Sequence, residues 1–488
     1  FILKKLKEIL FKVNIDSVYG DTNINVSKIT FDSREVKDQS LFIAINGYNF
    51  DGHNYIKDAI YNGASVVVCE NLPLDFEKSR AVYICVKSSK EALSIIASNF
   101  FDNPSSRIDL IGVTGTNGKT TISCLLNNLF NELKFESGLI STINIKYGNY
   151  TENSKNTTPD PITINYHLSE MIKKQIKVCF IEVSSHGIYQ KRVEGITFKG
   201  MIFTNITHDH LDYHSSFKDY RDTKKLVFDS LNKSSFALIN SDDKNAKYMV
   251  QNTKASIYTY SMKLKSNFSC KIIEQQLDGM LLSIDNSEIW TKLIGKFNAF
   301  NILAIYSIGK LYNFDKINLL TSISKLESVK GRLQSFLSNN KVTVIIDYAH
   351  TPDAIENVIS TINNIKKSNQ NLITVIGCGG DRDKDKRPIM GKISSDLSSR
   401  VIFTSDNPRS EDPKSIINDM VQGVSNFNSN KISIELERKK AIRKAKENSN
   451  EGDIVLIAGK GHEDYQELNN NKRIYFDDLK IAKEIFNK

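Results

Sequence analysis

Short runs of β-branched and other apolar residues alternate along most of this chain with longer stretches whose apolar positions recur at helical spacing. From Ile108 to about Leu333 the runs are IDLIGV, VCFIEV, MIFTNI and FALIN, with helical patterns near 119–133, 218–231 and 297–312. From KVTVIIDYA onward the alternation repeats with LITVIGC, RVIFTS, KISIEL and DIVLIAG. Such runs between helices of roughly 10–15 residues predict parallel sheets covered by helices on both faces. The first hundred residues show KITFDS, LFIAIN, ASVVVCE and AVYICV, and a helical SKEALSIIASNFF, before the polar DNPSSR at 102–107, which is expected to be a linker. The expectation is an α/β protein of three domains: a small N-terminal α/β domain (1–105), a central doubly wound domain (106–333) and a C-terminal Rossmann-like domain (334–488). Ligands should lie beyond the carboxyl ends of the parallel strands.

A length of 488 residues agrees with three domains at roughly 150 residues each. Forty per cent hydrophobic and 25% charged residues exclude a disordered or fibrous chain, and no apolar run approaches membrane-spanning length. The N-terminal FILKKLKEIL lacks the apolar block of a signal peptide, so a cytoplasmic enzyme is expected. The six cysteines form no C-x-x-C pair and sit mostly in strand-like runs, as small buried hydrophobes in a reducing compartment do. The formal charge of +9 is spread along the chain without a basic block. That suits anionic small molecules as well as it suits nucleic acid.

The chemistry begins at IDLIGVTGTNGKTTISCLL, where a strand ends at Val113, a glycine-containing turn follows and Lys119-Thr120-Thr121 opens a helix. Gly115 and Gly118 allow backbone N–H groups to converge on a phosphate. The helix N-terminus and Lys119 supply positive charge, and the Thr120 hydroxyl can hold Mg²⁺. Two residues separate the glycines here, where the usual phosphate loop has four, so GTNGKTT is a tighter variant. This loop is expected to bind a nucleoside triphosphate. Two later strand ends carry Glu182, Ser184 and His186, then Asn205, His208, Asp209, His210, Asp212 and His214. Carboxylates and hydroxyls beside a phosphate loop suit a hard cation, Mg²⁺ or Mn²⁺, and the spacing is not that of structural zinc.

GTNGKTT, EVSSH, NITHDHLD, FNxxN and DYAHTP together resemble the Mur ligases, which build the peptidoglycan precursor, and the resemblance runs nearly end to end. Folylpolyglutamate synthetases share similar motifs. The resemblance implies ATP bound by Gly115, Thr116, Asn117, Gly118, Lys119, Thr120 and Thr121, an adenine contact at Asn301, phosphate contacts at Arg332 and His350, and ribose held by Asp347. It implies two Mg²⁺ ions on Thr120, Glu182, His210 and Lys224, the last as an N-carboxylated lysine, with Lys225 the neighbouring alternative. Lys119, Lys224 and His210 become the expected catalytic residues.

The resemblance extends to the substrate. Ser33 and Arg34 of FDSRE resemble the uracil-diphosphate site, and Asn156, Thr157 and Thr158 of NTTPDP, with Ser184, Gln190 and Arg192, resemble the UDP-muramoyl-dipeptide site. In the third domain Arg387, Asp406, Asn407, Pro408, Arg409, Gly459 and Glu463 are expected to select the amino acid. A guanidinium forks onto a carboxylate, so two arginines beside acidic groups suit a diamine with two carboxylates. The DNPR form is similar to the diaminopimelate-adding members. The expected reaction is phosphoryl transfer from ATP to a glutamate side-chain carboxylate, followed by attack of an amine on the acyl phosphate. Lysine or meso-lanthionine as the added amino acid, or a folylpolyglutamate synthetase, are the alternatives. A nucleic-acid motor would leave the third-domain motifs unexplained. A monomer acting on small molecules, with neither nucleic acid nor membrane as partner, completes the expectation.

Overall fold

The computed structural model describes residues 3–47, 50–74, 76, 81–207, 209, 213–469 and 472–487. Three principal sheets organise the chain. In the first, four parallel strands, Lys28–Thr30, Ser40–Ile43, Ala64–Cys69 and Val82–Val86, are closed at one edge by Ile15–Tyr19, which runs antiparallel. Helix Ser89–Phe100 follows, started by Ser88, whose side chain accepts from the backbone N–H of Glu91.

The central sheet has eleven strands. Its parallel core runs Ser137–Ile140, Val178–Glu182, Asp109–Thr114, Gly200–Phe203, Phe236–Asn240 and Ser256–Ser261 in space. The first strand in sequence, Asp109–Thr114, therefore lies inside the sheet, where the connections reverse direction. Side chains alternate between two cores: Val178 and Phe180 pack with helices Lys119–Glu132 and Lys296–Leu311, while Cys179 and Ile181 pack with Pro161–Lys173 and Phe217–Asp229. Val178–Glu182 is buried at every residue, so its sequence shows no polar alternation. The sheet is extended on one side by an antiparallel hairpin at Asn144–Tyr147 and Tyr150–Asn153, and on the other by a meander over Phe268–Gln276, Gly279–Ile284 and Ser287–Thr291, whose first strand pairs parallel with Ser256–Ser261.

The third sheet has six strands in the order Gln334–Leu337, Thr343–Asp347, Ile454–Ala458, Leu372–Ile376, Arg400–Phe403 and Ile432–Ile434, parallel except for the first. Thr343–Asp347 and Ile454–Ala458 are neighbours, so Asp347 and Gly459 emerge side by side at the carboxyl end.

The segment at 102–107 differs from a free linker. Pro104 and Ser105 are buried, and the Ser105 hydroxyl accepts from the Thr197 backbone N–H at 3.0 Å. Helix Ser89–Phe100 also docks on the central domain, with Ser94 and Ser98 hydroxyls donating to the carbonyls of Lys191 and Gly195. Small serine side chains permit that close approach. All six cysteines are buried free thiols, and among the described residues no helix is long and apolar enough to cross a membrane.

Candidate active site

The turn 115–118 leaves the central sheet at its topological switch point, between the ends of Val178–Glu182 and Gly200–Phe203. Gly118 has φ +88°, and a Cβ there would lie 2.8 Å from Asn301 Oδ1; a Cβ on Gly115 would land on the Thr204 hydroxyl. The loop is held from below: Asn205 Oδ1 accepts from the Asn117 backbone N–H at 3.0 Å, and the Thr204 hydroxyl donates to the Asn117 carbonyl at 2.6 Å. Lys119 Nζ donates to the carbonyls of Gly115 and Thr116 at 3.0 and 2.8 Å. Burial pushes its ammonium below the ordinary lysine range.

Glu182 is fully buried beside this loop. Its Oε2 accepts from the Thr120 hydroxyl at 2.8 Å and the Thr142 hydroxyl at 3.0 Å, and its Oε1 from the Thr142 N–H at 2.7 Å. Burial raises its carboxyl above the usual range, and those hydrogen bonds and the Lys119 charge only partly offset this. Lys224, 1% exposed, donates to the Gly115 carbonyl at 3.0 Å and lies 4.8 Å over the Tyr220 ring. Burial, with Lys119 as a second cause, holds its amine far below 10.5. Lys225, by contrast, has its ammonium paired with Asp229 at 2.5 Å. His210, with His208 and Asp212, lies outside the described residues. Among the described residues no three His, Cys, Asp or Glu side chains converge as a metal site.

The loop forms the floor of a 440 Å³ cleft whose opposite wall belongs to the third domain. Asn301, bonded through Nδ2 to Asn298 Oδ1 at 3.0 Å, lines it, as do Arg332, Asp347 and His350. Arg332 Nη2 donates to the Thr120 hydroxyl at 3.3 Å, and its guanidinium lies 4.4 Å over the Tyr348 ring. Asp347 uses both oxygens as backbone acceptors, from Leu333 and Ala349 N–H, each at 2.7 Å. His350 Nδ1 is 2.7 Å from the Tyr348 carbonyl, which can only accept, so Nδ1 carries the proton. Burial and Lys386 hold the ring neutral, its pKa lowered to about 4.

Thr157, Thr158, Ser184, Gln190 and Arg192 come together as one network. The Thr158 hydroxyl is 3.0 Å from that of Ser184, Arg192 Nη1 donates to the Thr158 carbonyl at 2.6 Å, and Arg192 Nη2 donates to Gln190 Oε1 at 2.7 Å. The Thr142 hydroxyl, 3.1 Å from Thr157, joins this network to Glu182. Asn156 is exposed at its edge. Ser33 and Arg34 lie in the first domain on the short turn after Lys28–Thr30, with Arg34 exposed and forked onto Asp32.

In the third domain Asp406, Asn407, Gly459 and Glu463 converge on a residue that the motif reading missed, the buried Lys460. Its Nζ donates to Asn407 Oδ1 and Glu463 Oε2, both at 3.0 Å. A Cβ on Gly459 would lie 2.5 Å from Asp406 Oδ2. Arg409, after Pro408, adopts φ +51°. It is held there by Nε to Glu467 Oε2 at 3.0 Å and Nη1 to the Gly380 carbonyl at 2.7 Å. A non-glycine residue in that region is strained, a state found where a side chain must be aimed.

Arg387 departs from its expected role. It is 0% exposed and its guanidinium is taken by Glu411 (2.8 and 3.0 Å) and Asp419 (2.8 Å), so it braces the domain and presents no fork to a ligand. Arg382, five positions earlier in the same motif, is exposed, bonds the Asp381 carbonyl alone among the described residues, at 3.3 Å, and flanks Gly379 together with Arg409. The run GGDRDKDKR offers two arginines, and only burial distinguishes them. Tyr348 was also missed: it lines the cleft under Arg332, and its hydroxyl is 3.5 Å from Glu463 Oε1, so one ring separates the nucleotide cleft from the acidic cluster.

Comparison with known proteins agrees along the length of the chain. The Mur ligase family catalytic domain matches residues 25–101, the Mur ligase middle domain 113–308 and the Mur ligase glutamate ligase domain 331–461. A protein of Cytophaga hutchinsonii named UDP-N-acetylmuramoyl-L-alanyl-D-glutamate–2,6-diaminopimelate ligase is 47% identical over 481 residues, covering 99% of both chains. A solved structure of a ligase of that name superposes with TM-score 0.68 at 30% identity, covering 99% of this chain and 98% of the other. The MurF ligase of Thermotoga maritima in complex with ADP superposes with TM-score 0.63 at 18% identity over 89% of this chain and 94% of its own, a likeness of fold.

Proposed function

The chain belongs to the Mur ligase family, and from that membership we infer an ATP-dependent amide ligase of peptidoglycan precursor synthesis that adds 2,6-diaminopimelate to UDP-N-acetylmuramoyl-L-alanyl-D-glutamate. The observation that carries this reading is convergence. Thr142 links the Thr157–Arg192 network to Glu182, and Tyr348 links the nucleotide cleft to Glu463. Three substrates therefore meet around one phosphate loop.

In this reading the loop N–H groups of 115–121 and the Lys119 and Arg332 charges hold the triphosphate against the floor of the cleft. Asn301 faces adenine, Asp347 stands at the ribose, and His350 offers its unprotonated Nε2 side. Arg192, Gln190, Ser184, Thr157 and Thr158, edged by Asn156, orient the dipeptide, while Ser33 and Arg34 await its uridine end. The glutamate side-chain carboxylate attacks the γ-phosphorus and ADP leaves, giving an acyl phosphate. An amine of diaminopimelate then attacks the acyl carbon, phosphate leaves and the amide forms. No enzyme nucleophile is required; the residues position the reactants and stabilise charge. Asp406 and Glu463 face the amines, while Arg409 and Arg382 fork onto carboxylates; Arg382 takes the place expected of Arg387.

Glu182 and Thr120 suit Mg²⁺, because a buried carboxylate and an adjacent hydroxyl offer hard oxygens and, among the described residues, no ammonium or guanidinium hydrogen-bonds the carboxylate. Thr120, Glu182, His210 and Lys224 as a carbamate would hold two ions. When bound, they would draw charge from the transferring phosphoryl group. Lys224 is suited to carbamylation because burial lowers its pKa well below the ordinary lysine value and so favours the neutral amine, and a neutral amine adds CO₂ with loss of one proton. Lys224→Ala is expected to lose turnover and regain part of it with formate, which replaces the carboxylate; rescue of Lys225→Ala instead would move the assignment.

The test of the whole reading is phosphate release with ATP, Mg²⁺ and UDP-muramoyl-L-alanyl-D-glutamate, adding meso-diaminopimelate, meso-lanthionine or L-lysine in parallel. Turnover with the dicarboxylic diamines is the expected result, and their ratio identifies the substrate. Preference for lysine would remove the role given to Arg409 and Arg382, and silence with all three would remove the ligase.

A further inference from the structure

Asp353 belongs to none of the expected sites, yet its carboxylate is a point where the third domain grips the phosphate loop. It stands in the first turn of helix Pro352–Ile365, which forms one wall of the cleft. Its Oδ2 accepts from Asn117 Nδ2 at 2.7 Å and from the Thr207 hydroxyl at 3.2 Å. Asn117 is the central residue of the loop, and Thr207 follows the next strand, so one oxygen joins two central-domain segments to the third domain. Among the described residues Asn117 is otherwise held from beneath, through its backbone, by Thr204 and Asn205. Among those residues its side chain hydrogen-bonds Asp353 alone.

We propose that Asp353 is a positioning residue that latches the third domain over the phosphate loop and fixes Asn117 so that the loop N–H groups face the cleft. The proposal builds on the ATP-dependent reading of the cleft. The latch acts before substrate arrives, because its partners are protein groups. An acceptor carrying full charge strengthens both hydrogen bonds. Without it the closed arrangement becomes a smaller share of the population, and nucleotide, which touches both walls, binds more weakly by that share.

The test compares Asp353→Ala and Asp353→Asn in the full chain by small-angle scattering without ligands and by ADP titration. Asp353→Ala is expected to enlarge the radius of gyration and weaken ADP on the order of tenfold, as loss of hydrogen bonds to a charged acceptor would. Asp353→Asn, which keeps an acceptor oxygen, is expected to recover much of both. In a double-mutant cycle, Thr207→Val should add little to Asp353→Ala, since the two remove one interaction. Unchanged dimensions and unchanged ADP affinity in Asp353→Ala, with only a lower melting temperature, would reduce Asp353 to a helix-terminal charge and overturn the latch. Failure of the wild-type chain to bind ADP would instead strike the ligase reading and leave the scattering comparison intact.

Discussion

Two arginines from one motif take opposite roles. Arg387 is sealed among Glu411 and Asp419, and the guanidinium drives the Glu411 carboxyl down to about 2. Removing a buried partner leaves charges uncompensated, at about 3 kcal/mol or more. Arg387→Ala is therefore expected to lower the urea midpoint and to affect diaminopimelate kinetics only through stability. A depressed carboxylate contributes stability that is complete above 4.5 and lost as pH falls toward 2. The wild type should thus lose stability over that window, and Arg387→Ala should lose less of it. Arg382→Ala and Arg409→Ala should do the reverse, raising KM for diaminopimelate about tenfold or more while leaving the urea midpoint nearly unchanged. If Arg387→Ala raised that KM at unchanged stability, the assignment would be wrong. The motif exposed the presence of cationic residues, and Asp406, Asn407 and Glu463 were legible for the same reason. Which arginine is buried depends on Glu411 and Asp419, 24 and 32 residues away, a pairing that local spacing cannot encode. Lys460 escaped notice for a related reason: an AGKGH lysine reads as exposed until Asn407 and Glu463 close over it.

The strands were legible because their apolar runs are continuous, and the phosphate loop because its chemistry is local. Elements at the sheet edges and the docked 102–107 segment were less so, since half-polar strands and a Pro-containing turn gain their structure from long-range packing, as Ser105 does from Thr197. Strand Val178–Glu182 shows how an element places a polar end: four apolar residues bury both faces, then Glu182 ends the run at the switch point. Burial raises that carboxyl, so its favourable contribution is present below 4.5 and is lost as pH rises through the raised value. Above that raised value the ionised carboxylate is a destabilising charge. Glu182→Gln keeps the shape and can still accept from Thr142, and should raise the melting temperature of the ligand-free protein by about 2 °C or more while abolishing ligation. Addition of Mg²⁺ with ADP should stabilise the wild type more than the variant. A variant that melts lower than wild type without ligand would contradict this account of Glu182.

Each of the three sheets has its own core, and the units meet through polar contacts together with a few apolar ones, Ile294 of the second unit packing into the core of the third and Ile162 against that of the first. The first unit meets the second through the serines of helix Ser89–Phe100 and the buried turn after it. The second meets the third at the cleft, through Asn117 and Thr207 to Asp353. Positive net charge fits such an assembly, because its proposed substrates bring phosphates and carboxylates to the same opening. A nucleotide lying between two units should stabilise both, each by an amount that grows with occupancy, about 2.7 kcal/mol at one hundred times the dissociation constant. Hydrogen exchange can read this by segment. ADP should slow exchange in Asp109–Thr114 of the second unit and in Thr343–Asp347 of the third, with Ala64–Cys69 of the first unaffected. The third unit offers an internal control: the fully buried Arg438–Asp478 pair, bonded at 2.7 and 2.8 Å, anchors its terminal helix and is not among the residues that line the cleft. Asp478→Ala should destabilise that unit by about 3–5 kcal/mol and speed exchange in Thr343–Asp347. ADP should still slow exchange there, because the nucleotide contacts do not pass through Asp478. Protection confined to Asp109–Thr114 would mean that the third domain does not take part in holding nucleotide, and the closed cleft would lose its proposed role.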